Sequence, residues 1–472
     1  MTVTESDVRA RLEEAGQSHL LQFAGELDEA ARRRLLEEVA ALDLDLLRSL
    51  RDGTGPVLES STVPTDLEPP DVVGLDDADA RAAARAEGEA LIRAGRVAAF
   101  TVAGGQGTRL GWRGPKGTFP ASPVTGKPLF RLFAEQIRAT QERYGVVIPW
   151  YIMTSPINDA DTRAFLTDNN CFGLERRHIF MFPQGVMPSV DDRGRVLLAA
   201  KDAVAVNPDG HGGSLRALRA SGALDDMRAR GIEQISYFQV DNPNVRAIDP
   251  TFLGLHASHP GSSGEMTSKV VRKTDPAEKV GVFARSGGRT MVVEYSDLPA
   301  ELAEARQADG SLRFSGGSIA IHVLSVDFVE RLTSGEGDQL PFHRARKKVP
   351  HVDLETGEPV DPDEPNATKY ELFVFDAIPL AERSLVVETD RVEEFAPIKN
   401  AEGADSPATS HRLQSERAAR WLEARGVSVP RTADGALDAE LEIGPLTAME
   451  PDQLPAELVA TIRIDPGTSL AI

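Results

Sequence analysis

The stretch that decides the fold runs from Val97 to Gly117, VAAFTVAGGQGTRLGWRGPKG. It opens with the apolar, partly β-branched run Val97 to Val102, and such a short run bounded by glycines predicts a buried strand. The glycines that follow have no Cβ, so the backbone can approach a ligand closely and present N–H groups to an anion. Arg109 and Lys116 add two cations to the same loop. A strand followed by a glycine loop with two cations favours a polyphosphate site.

The spacing of these glycines argues against two common nucleotide motifs. A P-loop requires Gly-x-x-x-x-Gly-Lys followed by Ser or Thr, and no such run occurs in the chain. A dinucleotide fingerprint requires Gly-x-Gly-x-x-Gly, whereas Gly105, Gly107 and Gly111 give Gly-x-Gly-x-x-x-Gly. The spacing therefore disfavours a nicotinamide-dependent dehydrogenase. A glycine turn with surface charges stays open as the structural alternative.

The composition restricts the class of partner. The 52 Lys and Arg residues are outnumbered by 73 Asp and Glu residues, and the formal charge of −21 argues against general binding to nucleic acids or membrane surfaces. Cys171 is the only cysteine, which excludes an intrachain disulfide and a cysteine-rich metal site. The N-terminal residues have no apolar signal core, and no stretch approaches the ~20 apolar residues of a membrane span. We therefore expect a cytoplasmic protein.

The order of predicted elements indicates an α/β protein. Residues 4–51 and 76–94 have helical patterns, and a proline-rich connector lies between them. After the glycine loop, a helix through about Tyr144 precedes an apolar strand from Pro149 to Ser155. Strand, helix and strand at this spacing predict a parallel sheet, and ligands of such sheets bind outside the carboxyl ends of the strands. Lys127, just before the helix, is either another phosphate contact or a surface lysine.

The run AGGQGTRLG followed by PKG resembles the nucleotide loop of the eukaryotic-type UDP-sugar pyrophosphorylases, and most closely their UDP-N-acetylglucosamine branch. Further family landmarks follow in the same order, so the resemblance covers roughly residues 96–401. It implies a mixed, mostly parallel sheet flanked by helices, with a Rossmann-like nucleotidyltransferase core of the GT-A kind. We expect three regions, namely an N-terminal helical region and connector (1–95), a catalytic domain (96–395) and a small C-terminal domain (396–472).

The resemblance assigns the nucleotide to the glycine loop and to two later segments. FPQG around Gln184 resembles the motif whose glutamine binds uracil, and an amide can both donate to and accept from a base edge. NPDGHGGS around Gly210 resembles the turn that packs on uracil and ribose. The nucleotide-binding residues expected from these motifs are Ala103, Gly104, Gly105, Gly107, Thr108, Gln184, Gly210 and His211.

Asp241 is the predicted metal ligand. It follows the apolar run Ile235 to Val240, which predicts a strand. A carboxylate at the end of a strand and beside a phosphate site suits Mg²⁺, or Mn²⁺ in its place, because magnesium takes few carboxylates together with phosphates and water. The family's Val-Asp-Asn motif implies the same role. A turn or helix-cap aspartate is the structural alternative.

The sugar is the part of the substrate that the sequence leaves open. The residues that the resemblance places at the sugar are Asn242, Gly281, Glu294 and Ser318. Relatives carry asparagine where Ser318 stands. They also carry asparagine between the glycines where His211 stands, and that histidine resembles the UDP-glucose branch. Both N-acetylglucosamine 1-phosphate and glucose 1-phosphate therefore remain candidate substrates.

The reaction that the resemblance implies joins UTP and a sugar 1-phosphate into a UDP-sugar and pyrophosphate. Arg109 and Lys116 are expected on the triphosphate, and Lys399, in a motif that resembles a family phosphate contact, on the attacking phosphate. We expect no nucleic-acid or membrane partner and a monomer or weak homo-oligomer. The alternative is a catalytically silent UDP-sugar sensor, which would keep Gln184 and the glycines but lose the phosphate-binding cations.

Overall fold

The computed structural model describes residues 4–58, 63–335 and 340–472 of the chain. In these ranges the α-helices are α1 (Glu5–Glu14), α2 (Glu29–Ala41), α3 (Leu44–Asp52), α4 (Ala78–Arg93), α5 (Leu129–Tyr144), α6 (Asp159–Asp168), α7 (Gly213–Ala220), α8 (Ala223–Ala229), α9 (Pro250–Ser258), α10 (Ala300–Ala303), α11 (Val326–Thr333), α12 (Arg391–Glu394), α13 (Pro407–Ala424) and α14 (Ala456–Thr461).

The strands are mostly short. They are β1 (Val57–Leu58), β2 (Val72–Val73), β3 (Val97–Val102), β4 (Trp150–Thr154), β5 (Ile179–Pro183), β6 (Val186–Pro188), β7 (Leu198–Ala200), β8 (Ala203–Val204), β9 (Val206–Pro208), β10 (Gln234–Gln239), β11 (Met266–Arg272), β12 (Val282–Ser286), β13 (Arg289–Val293), β14 (Gly316–Ser325), β15 (Phe342–Lys347), β16 (His351–Val352), β17 (Pro359–Val360), β18 (Ala367–Leu372), β19 (Leu385–Glu388), β20 (Ala439–Glu442) and β21 (Thr468–Ala471).

The chain forms two compact units, each built from three segments. The smaller unit comprises Met1–Thr62, Gln184–Arg216 and Gly335–Asp376, and the larger unit comprises Val63–Pro183, Ala217–Ser334 and Ala377–Ile472. The sequence predicted three regions that follow one another along the chain. Each observed unit combines segments that are far apart in the chain, so the two units do not test those boundaries, which stay a prediction.

The larger unit contains one extensive sheet. Its strand order is β2-β19-β11-β14-β10-β3-β4-β5, with β12 paired to both β13 and β14. β2, β19 and β11 run parallel to one another, as do β10, β3, β4 and β5, whereas β14 is antiparallel to both its neighbours. The predicted mixed, mostly parallel sheet is confirmed.

The strand predicted at the start of the glycine loop lies in the middle of this sheet. β3 pairs with β10 on one side and with β4 on the other, and Val97 to Phe100 are fully buried. Because β10, β3 and β4 are parallel, their carboxyl ends meet at one edge of the sheet. The segments that begin at Ala103, Ser155 and Asp241 therefore leave the sheet at the same edge, where ligands of such sheets bind.

Helix ends in the larger unit follow local sequence signals. Asp77 caps α4 by accepting from the backbone N–H of Ala80, and Ser406 caps α13 in front of a proline at its first turn. α5 ends at Gly145, which has a φ of 65° and so adopts a conformation that favours glycine.

Helices α4 and α9 are in backbone contact through two glycines. A Cβ on Gly88 would lie 1.7 Å from the carbonyl oxygen of Pro250, and one on Gly254 would lie 1.7 Å from that of Ala84. Neither neighbour is the flexible end of a side chain, so an added methyl group would separate the helices. The close approach fixes α9, whose N-cap is Asp249.

We expect Gly254→Ala to lower the free energy of unfolding by ~1–3 kcal/mol or more, because an extra methyl overpacks a helix interface that cannot relax locally. The control is Gly25→Ala, since a Cβ there would meet nothing within 4 Å. Thermal unfolding of both variants is the measurement. A Gly254→Ala melting temperature equal to that of the control would contradict the packing argument.

The smaller unit combines helices α1–α3 with short sheets. β1, β15 and β18 form a three-stranded sheet, and β6 pairs with β9, β7 with β8 and β16 with β17. The side chain of Gln17 joins two distant segments, because its Nε2 donates to the carbonyl of Gly194 at 2.9 Å and its Oε1 accepts from the N–H of Val196 at 2.9 Å. The predicted N-terminal helices are confirmed, and they pack on residues 184–216.

The C-terminal residues of the larger unit pack around their own apolar cluster. Trp421 and Leu422 of α13 are buried with Leu441 of β20. Glu442 ties this cluster to the loop before α5, because its carboxylate accepts from the backbone N–H groups of Val124 and Thr125. Within the ranges described above, no helix combines the length and apolar character needed to cross a bilayer.

Candidate active site

The glycine loop is held in place by an asparagine from the next strand's exit. Asn158 Nδ2 donates to the carbonyl oxygens of Ala103 at 3.0 Å and Gly105 at 3.3 Å, and Asn158 Oδ1 accepts from the N–H of Ser155 at 2.7 Å. The N–H of Lys116 donates to Gly105 at 3.0 Å and closes the loop. Sequence reasoning missed Asn158. The available signal was a polar side chain just after a predicted strand at the ligand-binding edge.

Arg109 lies on the first half of the loop and is exposed to solvent. Gly107 packs under Trp112, and a Cβ on Gly107 would lie 2.7 Å from the Trp112 Cβ, so glycine is needed there. The short 3₁₀-helix Thr108–Leu110 follows, and Arg109 on it is exposed. Among the residues that the structure describes, no acidic side chain pairs with Arg109. Its charge is therefore available to a ligand.

The second half of the loop brings Lys116 to the predicted metal ligand. Lys116 Nζ lies 3.8 Å from Asp241 Oδ2, and both side chains are mostly buried, at 16% and 14% exposed. The backbone carbonyl of Asp241 accepts from the N–H of Ile398 at 2.8 Å, which places Lys399 next in the chain. Lys399 Nζ lies 3.5 Å from Asp405, and both residues are partly exposed. Three residues predicted on phosphate and metal thus come from one neighbourhood.

Asn242 joins the same two segments. Its Nδ2 donates to the carbonyl of Glu394 at 2.6 Å, and its Oδ1 accepts from the N–H of Ala396 at 3.0 Å and from that of Asn244 at 3.2 Å. The side chain is buried. A sugar contact of Asn242 stays a prediction, and the observed bonds give its amide a structural task.

The other three predicted sugar residues lie together. Ser318 donates its backbone N–H to the carbonyl of Gly281 at 2.8 Å. A Cβ on Gly281 would lie 3.1 Å from Glu294 Oε1 and 2.9 Å from a methyl of Val292, so a side chain at Gly281 would press on the carboxylate. The glycine therefore leaves room for Glu294 at this end of β12–β14.

In the smaller unit, the Gln184 segment lies against the second glycine turn. The N–H of Asp209 donates to the carbonyl of Gly185 at 3.2 Å. Gly210 has a φ of 84°, and a Cβ on it would lie 2.4 Å from the carbonyl oxygen of Leu372, so only glycine fits. Within the described part of the chain, no side chain or backbone group hydrogen-bonds the Gln184 amide. Its donor and acceptor are thus available to a base edge.

Asp209 is a second residue that sequence reasoning missed. Its side chain is buried between Gly185 and Gly213, whose missing Cβ atoms leave the space that the carboxylate occupies. Burial raises the pKa of Asp209 to about 6, and nearby Arg216 partly opposes that rise. The carboxyl group of Asp209 therefore occupies the space that Gly185 and Gly213 leave free.

His211 is packed among aromatic rings. Its ring stacks on Phe373 with centroids 5.2 Å apart, and its Nδ1 accepts from the N–H of Val374 at 3.1 Å. Burial lowers the pKa of His211 to about 4, and the neighbouring His343 adds to the lowering when it is charged. An acceptor at Nδ1 requires the neutral tautomer with its proton on Nε2. His211 is therefore a neutral ring that fixes the turn.

We expect the His211 ring to remain neutral throughout pH 5–8, because its lowered pKa lies below that range. The measurement is an NMR titration of the histidine ring signals, with His211→Asn to assign the resonance. A His211 midpoint near the ordinary ~6.5 would contradict the buried environment.

The sequence matches a known protein family over most of its length. The profile of the family described as UTP–glucose-1-phosphate uridylyltransferase, UDPGP, matches residues 64–414. The chain belongs to the UDPGP family. Members of this family are uridylyltransferases, and the chain is accordingly an enzyme that makes a UDP-sugar.

Individual members of known name are similar to this UDPGP-family chain over most of its length. The UDP-N-acetylhexosamine pyrophosphorylase-like protein 1 of Homo sapiens is 39% identical over 94% of this chain and 93% of its own. The UDP-N-acetylglucosamine pyrophosphorylase of Saccharomyces cerevisiae is 39% identical over 73% of this chain and 72% of its own. The solved structure of uridine diphosphate N-acetylglucosamine pyrophosphorylase from Trypanosoma brucei, in complex with inhibitor, has a TM-score of 0.79 at 28% identity and covers 96% of this chain and 94% of its own.

Proposed function

We propose that this uridylyltransferase uses UTP and a hexose 1-phosphate, N-acetylglucosamine 1-phosphate or glucose 1-phosphate, and releases pyrophosphate. The observation that carries the proposal is the approach of Lys116 to Asp241 at 3.8 Å beside the segment that bears Lys399. A carboxylate paired with a lysine at the carboxyl edge of a parallel sheet, next to a segment that bears a second lysine, suits a metal–polyphosphate substrate.

The chemistry needs no protein base. The nucleophile is an oxygen of the sugar phosphate, which is already ionised at neutral pH, and it attacks the α-phosphorus while pyrophosphate leaves. Catalysis then depends on positioning and on stabilising the charge of the transition state. The buried ring of His211 is consistent with this scheme, because its pKa of about 4 makes it a weak base and its Nδ1 already accepts from the N–H of Val374.

The cations have separate tasks in this proposal. Arg109 and Lys116 bind the triphosphate and the leaving pyrophosphate, and Lys399 holds the attacking phosphate. The exposure of Arg109 and its lack of an acidic partner among the described residues support this task. Gln184 and Gly210 read the uracil, and the glycine-loop residues Ala103, Gly104, Gly105, Gly107 and Thr108 face the nucleotide.

Asp241 would hold the Mg²⁺ ion. Among the described residues, no group of three or more acidic, histidine or cysteine side chains could form a closed metal site. A single carboxylate fits magnesium, which takes its remaining ligands from phosphates and water. When bound, the ion would neutralise phosphate charge. Asp241 would orient it, and Lys116 would turn from its carboxylate toward phosphate.

The sugar subsite is proposed at Gly281, Glu294 and Ser318. The Glu294 carboxylate can accept two hydroxyl hydrogen bonds, and Ser318 offers one short hydroxyl where an asparagine would grip a substituent from two sides. Relatives named for UDP-N-acetylglucosamine and UDP-N-acetylhexosamine support the N-acetylated sugar. Ser318 instead supports weaker discrimination between N-acetylglucosamine 1-phosphate and glucose 1-phosphate.

We expect modest discrimination between the two sugar phosphates in the wild type, about fivefold per altered position, since one hydrogen bond contributes ~1 kcal/mol. Ser318→Asn should shift selectivity toward N-acetylglucosamine 1-phosphate, and His211→Asn added to it should shift selectivity further. The measurement is kcat/KM for both substrates in the wild type, the single variants and the double variant. A wild-type preference of several thousandfold that the double variant leaves unchanged would exclude these positions as determinants.

The composition of the chain bears on the cellular setting of the enzyme. The single cysteine and the acidic composition support a cytoplasmic enzyme without nucleic-acid or membrane partners. We also propose that it acts as a monomer or weak homo-oligomer. A catalytically silent UDP-sugar sensor is the alternative function. It would bind UDP-sugar but release no pyrophosphate from UTP, so a pyrophosphate-release assay separates the two.

A further inference from the structure

A buried lysine with two acidic partners lies behind the proposed phosphate site. Lys269 of β11 is 2% exposed, and its Nζ lies 2.6 Å from Asp249 Oδ2 and 2.7 Å from Glu394 Oε1. Thr389 adds a hydroxyl hydrogen bond to the same Glu394 oxygen at 2.9 Å. Lysine is rarely buried this deeply unless it is paired, and well-packed apolar residues often stabilise a protein as well as a buried ion pair does. A contribution to stability alone is therefore a weak explanation for this buried network.

Glu394 begins a clasp, defined here as the bonds that join residues 394–398 to Asp241 and Asn242. Asn242 Nδ2 donates to the carbonyl of Glu394 at 2.6 Å, and the N–H of Ala396 donates to Asn242 Oδ1 at 3.0 Å. The N–H of Ile398 donates to the carbonyl of Asp241 at 2.8 Å. A displacement of Glu394 would therefore move both the end of β10 and the start of the Lys399 loop.

The other partner of Lys269 is anchored in a helix. Asp249 Oδ1 accepts from the N–H groups of Thr251 and Phe252 at 2.9 and 3.3 Å and caps α9, so only Oδ2 is directed at Lys269. The ring of Phe252 lies 4.9 Å from Lys269 Nζ. Lys269 thus joins a fixed helix terminus to the clasp.

We infer that Lys269 is a positioning residue, which acts through Glu394 and the clasp to set the separation between Asp241 and Lys399. The inference rests on the metal and phosphate roles proposed above for those two residues. Lys269 itself touches no substrate in this account. Its effect should therefore appear in metal affinity and in the KM for the sugar 1-phosphate, whereas the KM for UTP should change little.

The alternative is a purely stabilising ion pair. Arg246 also approaches Glu394, at 4.0 Å, so the carboxylate keeps one cation when Lys269 is replaced. Lys127 provides a matched control because its Nζ pairs with buried Glu135 at 2.8 Å, and Glu135 likewise keeps Arg131. Lys127 was a candidate phosphate contact from the sequence, and this ion pair gives it a structural task.

The test compares the full-length Lys269→Gln, Thr389→Val and Lys127→Gln variants with the wild type. Manganese affinity is measured by electron paramagnetic resonance in the presence of UTP, and KM is measured separately for UTP and for the sugar 1-phosphate. We expect Lys269→Gln to weaken manganese binding and to raise the KM for the sugar 1-phosphate by roughly tenfold each, the lower end of the losses seen when a residue supporting a metal ligand is removed. Thr389→Val should change both in the same direction by at least twofold, and Lys127→Gln should lower only the melting temperature.

Unchanged manganese affinity and sugar-phosphate KM in folded Lys269→Gln would overturn the inference. If that variant fails to fold, Thr389→Val decides in the same way. Lys399→Ala separates this result from the proposed function. A large effect of Lys399→Ala with none of Lys269→Gln rejects only the positioning role, whereas no effect of Lys399→Ala rejects the proposed phosphate site itself.

Discussion

Replacing either Lys116 or Arg109 by alanine is expected to lower turnover by roughly 10²-fold or more while the fold survives, comparable to the loss of one oxyanion donor elsewhere. Lys116 is mostly buried and points at Asp241, so its ammonium is held where the metal and phosphates would meet. Arg109 stands exposed on the 3₁₀-helix of the loop. The measurement is kcat for pyrophosphate release by each purified variant.

Arg113→Ala is the matched control for both variants. Arg113 lies on the same loop, is exposed like Arg109 and carries the same charge. It has no role in the proposed site, so its variant should retain near-normal turnover. Near-normal turnover of folded Lys116→Ala and Arg109→Ala would contradict the assignment of this loop to phosphate.

Asp241→Asn should raise the Mg²⁺ concentration needed for half-maximal activity by at least about tenfold, since removing even a residue that supports a metal ligand costs that much. The amide keeps the shape and one carbonyl oxygen but loses the charge that attracts the ion. The backbone bond from Ile398 to residue 241 does not involve the side chain, so the clasp should persist.

The measurement is activity titrated with MgCl₂ and, separately, with MnCl₂. Asp225→Asn is the control because Asp225 is an exposed aspartate near the start of α8 and the charge change is identical. Full wild-type activity in excess chelator, or an unchanged metal requirement in Asp241→Asn, would contradict the proposed metal site.

The central part of the fold could be predicted from the sequence because local signals there agree. The apolar run before the glycines is β3, the run before Asp241 is β10, and the amphipathic segment after Lys127 is α5. Parallel strands at that spacing place their exits at one edge, so the proximity of Lys116 and Asp241 follows from the pattern.

Other features depend on contacts between residues far apart in the chain. Gln17 pairs with the segment at Gly194, 177 residues away, and no local pattern reports such a contact. Asn158 gives no periodic signal because one amide in a loop resembles any turn residue. Lys269 lies in the buried strand β11, whose sequence MTSKVVR is largely polar, and a lysine there would be expected at the surface. Its partners Asp249 and Glu394 account for its burial.

The most direct test is pyrophosphate release by the wild-type protein with UTP, MgCl₂ and a panel of sugar 1-phosphates, run beside Lys116→Ala. We expect release that requires UTP, a divalent metal and a hexose 1-phosphate. N-acetylglucosamine 1-phosphate and glucose 1-phosphate should both be accepted, and Lys116→Ala should lower the rate by roughly 10²-fold. Absence of pyrophosphate release with every sugar phosphate, from protein that still binds UDP-sugar, would contradict it.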